Sequence, residues 1–559
     1  MLTRLGPPFA ILLLAGPIVA GLAGTVLPAL GYFPALGGFS LSLAPFAAVL
    51  AEPGIWMSVA VSLGTGLAAT AISLGAVMLF VAGWSGTRIF ARIQHLVSPL
   101  LSVPHAAVAF ALAFLIAPSG MLARLVSPVL TGWHQPPDVL IVHDPAGLTM
   151  TAGLIVKEIP FLLLIALAAL PQTDPARTRA LAASLGYGQV AGFLHGTWPP
   201  LYRQMRLAVF AVIAFSTSVV DVAQILGPTT PAPLAVRLIE WMRDPDLSMR
   251  FLASAGAVLQ LGVTALAIAI WIGFERLSTA MCQRIRDTGW RFRGDAWLRG
   301  AALAAVMLAA FAVFAGLATL ALWSVAGLWQ YPDALPDWLT LKTWMKTLPR
   351  VAGPLATTVL VATLSTLLAV ALSLLSLLRE DETGRRGGSG ALMLLYLPLI
   401  VPQVAFLFGL QLLLILAGAE ASLPSLVFAH LVFVMPYVFL SLSDPWRAYD
   451  RRYEAVAAGL GKRRWSVFFR VKLPMLARPV LTAAAVGFSV SVGLYLPTVL
   501  IGAGRLETIT TEAVALASGG NRRVIGVYAF LQMVLPALGF LVAIFGPALI
   551  FRHRRAMRV

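Results

Sequence analysis

Charge is what this chain has least of. Asp, Glu, Lys and Arg make up 11% of its 559 residues, against about 25% in a typical soluble domain. With 59% of the residues hydrophobic, there is too little polar surface to cover a water-exposed globule. Acid is scarcer than base, 23 Asp and Glu against 40 Lys and Arg. Cysteine is nearly absent: Cys282 stands alone, which excludes an intramolecular disulfide. Strict alternation of apolar and polar residues is missing, which excludes a membrane β-barrel. The one Gly-Lys pair, Gly461-Lys462, runs on into Arg463 and lacks the upstream glycine and the hydroxyl residue of a phosphate-binding loop. No His-Glu-x-x-His helix offers a zinc site. Gly64-Thr-Gly66-Leu-Ala-Ala69 has only a distant dinucleotide-loop spacing and lies inside an apolar run, where small residues serve close helix packing. We therefore expect no metal and no cofactor in this chain.

What the chain does have is a series of apolar runs of roughly 20 residues, the length a helix needs to cross ~30 Å of hydrocarbon. About twelve can be counted, centred near residues 20, 68, 109, 159, 217 and 262, then 314, 365, 403, 432, 490 and 537. The expected fold class is an all-α membrane protein. The first run follows Arg4 without a cleavage site and reads as a retained helix rather than a signal peptide. Placing the amino terminus in the cytoplasm puts most of the 40 Lys and Arg in inside segments, down to the tail residues Arg552, Arg554, Arg555 and Arg558. Both termini are then cytoplasmic. The basic residues follow this topology rather than form one patch with aromatics, so the lipid bilayer, not nucleic acid, accounts for the net charge of +17.

The chain also repeats itself. Arg179-Ala-Leu-Ala-Ala-Ser-Leu-Gly186 leads to Pro199, and Glu454-Ala-Val-Ala-Ala-Gly-Leu-Gly461 leads to Pro474; each proline falls thirteen residues after its glycine. Val103-Pro104-His105 recurs as Val401-Pro402-Gln403, and Pro160 as Pro436. The first half holds an extra segment, 120–147. These matches divide the chain into a first repeat (1–274), a polar inside linker (275–299) and a second repeat (300–559), each of six membrane helices running in parallel orientation. The pathway is expected at the seam between the repeats.

Both repeated loops, 177–200 and 452–479, are rich in Ala and Leu and end at a glycine, so each predicts a short amphipathic helix and a turn. Interfacial helices anchored on anionic lipid are the simpler alternative. Lipid contact imposes no register, however, whereas a partner docked twice does.

The loops resemble the EAA loops of type I ABC importer permeases (the MetI-like fold), in which the coupling helix sits in a cleft of the ATPase subunit. Gly461, Val471, Leu473 and Pro474 match that pattern, as do Gly186 and Pro199. Glu454 is one position early, Ala455 and Ala180 stand at the family's Glu position, and Trp198 replaces the Leu before Pro199. The resemblance implies ATPase-coupling roles for Ala180, Ala183, Gly186 and Pro199, and for Glu454, Ala455, Ala458, Gly461, Leu473 and Pro474. It covers nearly the whole chain in the fused double-permease layout of ferric-iron and thiamine systems. The opening Gly31-Tyr-Phe-Pro-Ala-Leu-Gly-Gly38 and Leu41-Ser-Leu-Ala-Pro45 is most similar to the YnjC-type permeases. Implied partners are two copies of a cytoplasmic ABC ATPase, which bind ATP and Mg, and a periplasmic binding protein meeting segments 120–147 and 228–249. The implied location is the bacterial inner membrane, and the implied solute a thiamine-like compound or ferric iron. The chain itself is then a translocation subunit, not an enzyme, with the stronger coupling contact expected at Gly461.

Ionisable groups at membrane depth cost about 2.5 to 3.5 kcal/mol each on insertion scales, so they are pathway candidates by default. They are Lys157 with Glu158, Asp221 with Gln224, and the equivalent residues His105 and Gln403, which follow Pro104 and Pro402. Each of the charged residues could instead pair within the bundle. An ion-coupled secondary carrier without an ATPase would use the same groups as a proton relay, but it gives no reason for two registered loops.

Overall fold

A computed structural model describes residues 2–384, 388–419, 421–519 and 521–550, so the tail arginines fall outside it. The first half contributes α1 (Leu2–Ala29), α2 (Ala44–Ala51), α3 (Ile55–Trp84), α4 (Arg88–Val97), α5 (His105–Ile116), α6 (Met121–Val126) and α7 (Leu148–Ala169). There follow α8 (Pro175–Ser184), α9 (Gln189–Gly196), α10 (Trp198–Ser218), α11 (Asp221–Leu226), α12 (Leu234–Arg243) and α13 (Met249–Asp287). The second half continues with α14 (Ala296–Val325), α15 (Lys342–Thr383), α16 (Ser389–Ile400), α17 (Gln403–Leu416), α18 (Leu423–Ala448) and α19 (Arg452–Gly459). It closes with α20 (Arg464–Val467), α21 (Leu473–Met475), α22 (Ala477–Gly493), α23 (Leu496–Gly502), α24 (Ile509–Ala515) and α25 (Arg522–Ile550). Among the described residues no strand is formed; two isolated bridges join Phe33 to Gly38 and Ala326 to Leu339. A helix satisfies its own backbone, which is what an apolar surrounding demands.

Among the described residues, nine helices are long and apolar enough to cross a membrane, or eleven if two bent pairs each count as one span. The runs expected near 403 and 490 are these pairs, bent by 91° and 74°. In the first pair, Pro402 caps α17 in an extended conformation (φ −52, ψ 130), because a proline has no N–H to continue the helix. Pro104 does the same for α5 (φ −60, ψ 153). The run expected near 217 is α10, whose early turns carry Arg203 and Arg206 and which does not pass as a span by itself. The stretch read as a linker is largely helical: α13 runs on to Asp287 and α14 begins at Ala296, leaving residues 288–295 between them.

The first helix of each half packs on the other half. In α1, Gly21 and Gly24 meet the backbone of α17: a Cβ added at Gly409 would stand 1.9 Å from the Gly21 carbonyl oxygen. The Thr25 hydroxyl accepts from the Gly409 N–H at 3.1 Å. In the mirror contact, Gly316 of α14 lies against Ala111 of α5, where a Cβ would come within 2.7 Å of the Ala111 backbone. Ala111 and Gly409 share the 298-residue offset of His105 and Gln403. Small residues are needed here because lipid is as apolar as leucine, so helices associate through close packing rather than through burial from water.

One end of the molecule gathers both repeated loops. There the Thr3 hydroxyl donates to Glu382 at 2.7 Å and the Trp84 indole to the Arg299 carbonyl at 3.0 Å. At the other end, Arg237 pairs with Glu52 at 3.2 Å. The extra segment is tied down there too: buried Arg124 donates to the carbonyls of Gln330 (2.7 Å) and Asp333 (3.0 Å) and lies 4.9 Å from the Trp329 ring centroid.

Candidate functional site

The two loops are built alike, down to the hydrogen bonds. α8 ends as Gly186 turns left-handed (φ +78), with Gly186 N–H donating to Ala183 O at 2.9 Å and Tyr187 N–H to Ala182 O at 3.0 Å. α19 ends identically: Gly461 (φ +75) donates to Ala458 O at 2.9 Å and Lys462 to Ala457 O at 3.3 Å. This paired cap requires a positive φ that glycine adopts without strain. Beyond the turn, Gly188 and Arg463 open the next helix in equivalent extended conformations. Pro199 then sits in the first turn of α10 and Leu473-Pro474 in α21.

The outward faces also match. Ala180 and Ala183 are exposed, as are Ala455, Ala458 and Gly461. Beside them stand large apolar side chains at equivalent positions: Leu181 (57% exposed) with Val456 (65%), and Leu185 (59%) with Leu460 (73%). Each helix thus presents two large apolar side chains, one turn apart, on its exposed face.

Inward, the loops differ. Where the second has Glu454, the first has Arg179, which donates to the carbonyl and hydroxyl oxygens of Ser85 at 2.7 and 2.6 Å. Ser85 closes α3, so a cation meets the negative end of a helix dipole. Glu454 instead turns toward Lys472, at 2.8 Å, and the same ammonium reaches Asp381 of α15 at 2.6 Å. Residues 288–295 cover only the first loop. Gly188 N–H donates to Arg291 O (2.9 Å), Arg293 Nε to Gly186 O (3.0 Å), and Asp295 accepts from Val190 N–H at the start of α9 (2.7 Å). A Cβ at Gly461, by contrast, would meet nothing within 4 Å. On the second loop, the Arg452 guanidinium beside Asp450 holds that carboxyl below its usual range. Burial, aided by Glu454 and Asp450, pushes the Tyr449 phenol up to about 12.

At membrane depth the expected polar residues fall into two sets. Lys157 is consumed structurally: its ammonium donates to the carbonyls of Leu100 (3.1 Å), Leu101 (3.2 Å) and Val103 (2.5 Å), holding the backbone just before the Pro104 break. Glu158 faces the other way, 3.6 Å from His105 Nε2, and Phe215 lies 4.5 Å from the His105 ring. Asp221, buried at the start of α11, lies within electrostatic reach of the same histidine. Gln224 accepts from the Tyr495 hydroxyl of the second half at 2.8 Å. Ser489 donates across the seam to Ser102 O at 3.1 Å, beside Pro104. His105, Glu158, Asp221 and Gln224 thus gather near the junction of the halves, whereas Gln403 is partly buried at the equivalent turn of α17.

Sequence reasoning missed several members. Tyr437 of α18 lies within electrostatic reach of Glu158. His430, fully buried, bonds Ser491 at 2.8 Å and Thr498 at 3.0 Å. Lys472 and Asp381 were missed because their pairing joins positions 91 residues apart. The signal for Leu181 and Leu185 was available: both recur as apolar residues 275 positions on.

No protein-family model matches the chain. Among curated proteins it is 31% identical over 502 residues to the inner membrane ABC transporter permease protein YnjC of Escherichia coli, covering 90% of each chain. Over 114 residues it is 30% identical to the putrescine transport system permease protein PotI of E. coli, covering 19% of this chain and 40% of that one. The spermidine/putrescine permease PotC of Haemophilus influenzae is 22% identical over 174 residues, 31% of this chain and 66% of that one. Likeness to YnjC over 90% of both chains, on a helical frame with nine to eleven candidate spans among the described residues, is decisive: this chain belongs to the inner-membrane permeases of ABC transporters.

Proposed function

We propose that the chain forms the translocation pathway of an ABC importer, with its two repeated loops in the cytoplasm, each docking one copy of an ATPase subunit. The observation that carries this reading is the matched pair of exposed apolar faces, Leu181 and Leu185 on α8 and Val456 and Leu460 on α19, behind identical glycine caps at one end of the molecule. On this reading they are EAA coupling helices, and both chain termini lie on their side of the membrane. A substrate-binding protein docks at the opposite end, on segments 120–147 and 228–249. The solute passes between the halves, where Glu158 and Asp221 beside His105 suit a small cation and aromatic rings at Phe215 and Tyr437 suit an organic one. A thiamine-like compound fits that chemistry, and ferric iron fits the carboxylates alone. ATP and Mg belong to the partner, and this chain performs no covalent step.

ATP binding closes the two ATPase copies, and the loops convey the closure to the helices they are tied to. Purification of the chain with its ATPase tests this directly. Leu460→Asp combined with Leu185→Asp is expected to abolish co-purification. Retention of the ATPase by that variant would refute the docking surface, and uptake that persists without any ATPase but stops when the proton gradient collapses would favour an ion-coupled carrier.

A further inference from the structure

The Lys472 ammonium is enclosed on all sides. It lies on a π-helical turn, Phe468–Lys472, just before Leu473-Pro474, and the side chain is 2% exposed. Asp381 at the end of α15 and Glu454 on α19 hold it at 2.6 and 2.8 Å. The Trp446 ring centroid lies 4.2 Å away and that of Tyr449 5.3 Å away, both at the end of α18. Trp446 in turn donates its indole N–H to Asp381 at 2.9 Å. Around this core run further pairs from the loop to α15: Arg451 with Asp381, and Arg464 with Glu382 at 2.5 Å. Together they border a cleft of about 460 Å³ lined by Asp381, Glu382, Arg451, Glu454 and Arg464.

A lysine so placed joins three elements through one rigid contact. A buried charge separated from its partners is strongly disfavoured, so α19 cannot move away without carrying Asp381 with it. π-turns recur at functional positions, and this one ends on Lys472, whose side chain is buried. The first half has Thr197 at the equivalent position and no such box. Glu454, the acidic residue displaced by one position from the family pattern, is therefore directed to an internal cation rather than outward.

We propose that Lys472 is a positioning residue, a pin that makes α19 move as one body with the end of α15 and with α18. This rests on the coupling role given to α19 above. It makes the second loop the rigidly transmitting one, while the first is held by the strap of residues 288–295.

Hydrogen exchange on the full chain in lipid nanodiscs tests the pin in two arms. With the chain alone, Lys472→Met is expected to speed exchange of the α19 amides on the order of tenfold or more, since removing one partner of a buried charge pair shifts the local opening equilibrium by at least that much. Glu454→Gln, a milder change at a partly exposed site, is expected to do the same to a smaller degree. Wild-type exchange in both variants would overturn the pin. In the second arm the ATPase is bound and ATP is added. The change at α19 is expected to persist in Lys472→Met while the change at residues 378–384 disappears; survival of the latter overturns the proposal. Failure of the ATPase to bind the wild-type chain would refute the docking reading and leave the first arm to decide the pin.

Discussion

At the scale of single residues, two kinds of glycine do different work. Gly409 is a packing glycine: a Cβ would stand 1.9 Å from the Gly21 carbonyl oxygen, so Gly409→Ala must push α1 off α17. Overpacking of this kind costs about 1 to 3 kcal/mol, and a lowered melting temperature in detergent is expected. Gly64, with nothing within 4 Å on the same test, is the control; Gly64→Ala is expected to leave melting unchanged or to raise it, as alanine is the better helix former. A titrating residue adds a pH term. Burial, with Arg286 nearby, lowers His195 of α9 from its ordinary 6.5. As pH falls through that value the unfolded chain binds a proton that the folded loop refuses, so stability falls toward acid. His195→Gln removes this term. The difference between variant and wild-type melting temperatures should therefore be constant at alkaline pH, where it reflects the lost ring contact with Tyr187, and shift in the variant's favour on acidification.

At the scale of elements, the asymmetry of the two loops governs what each variant reports. Residues 288–295 lie so close over the first loop that a Cβ at Gly188 would fall 2.0 Å from the Phe292 carbonyl oxygen. Arg291 and Arg293 are already exposed there, so Gly188→Ala is expected to free their backbone rather than uncover them, measured as faster tryptic cleavage after both with the rest of the chain intact. Tested singly, Leu460→Asp should weaken ATPase binding more than Leu185→Asp, by about tenfold in affinity for loss of one central apolar contact. Much of this level was legible in the sequence. Gly186 and Gly461 announced themselves because a left-handed cap is a local demand of the backbone, and Pro104 and Pro402 because a missing N–H breaks a helix wherever it falls. Arg179 and Lys472 were not legible. Their partners, Ser85 and Asp381, are 94 and 91 residues away, and nothing in the local pattern says which helix end will stand beside a loop.

At the scale of the whole molecule, neither half is self-sufficient. α1 belongs by packing to the second half and α14 to the first, so a chain cut between residues 287 and 296 is expected to yield two fragments that assemble when co-expressed and are degraded when made alone. Immunoblots of the separate and joint expressions would check this; a stable, folded first fragment alone would contradict it. The recurring prolines and glycines suggest a division in two, whereas the packing of α1 on α17 was not readable, because Gly21 and Gly24 advertise a close neighbour without naming it. The exchange also has a consequence for biosynthesis. Thr25 and Gly409 are 384 residues apart; at ~5–20 residues per second of synthesis, α1 waits roughly 20 to 80 seconds in the bilayer before its partner helix is made. For that interval its glycine face must be sheltered by lipid or by the insertion machinery, so α1 enters the membrane long before the helix it packs against exists.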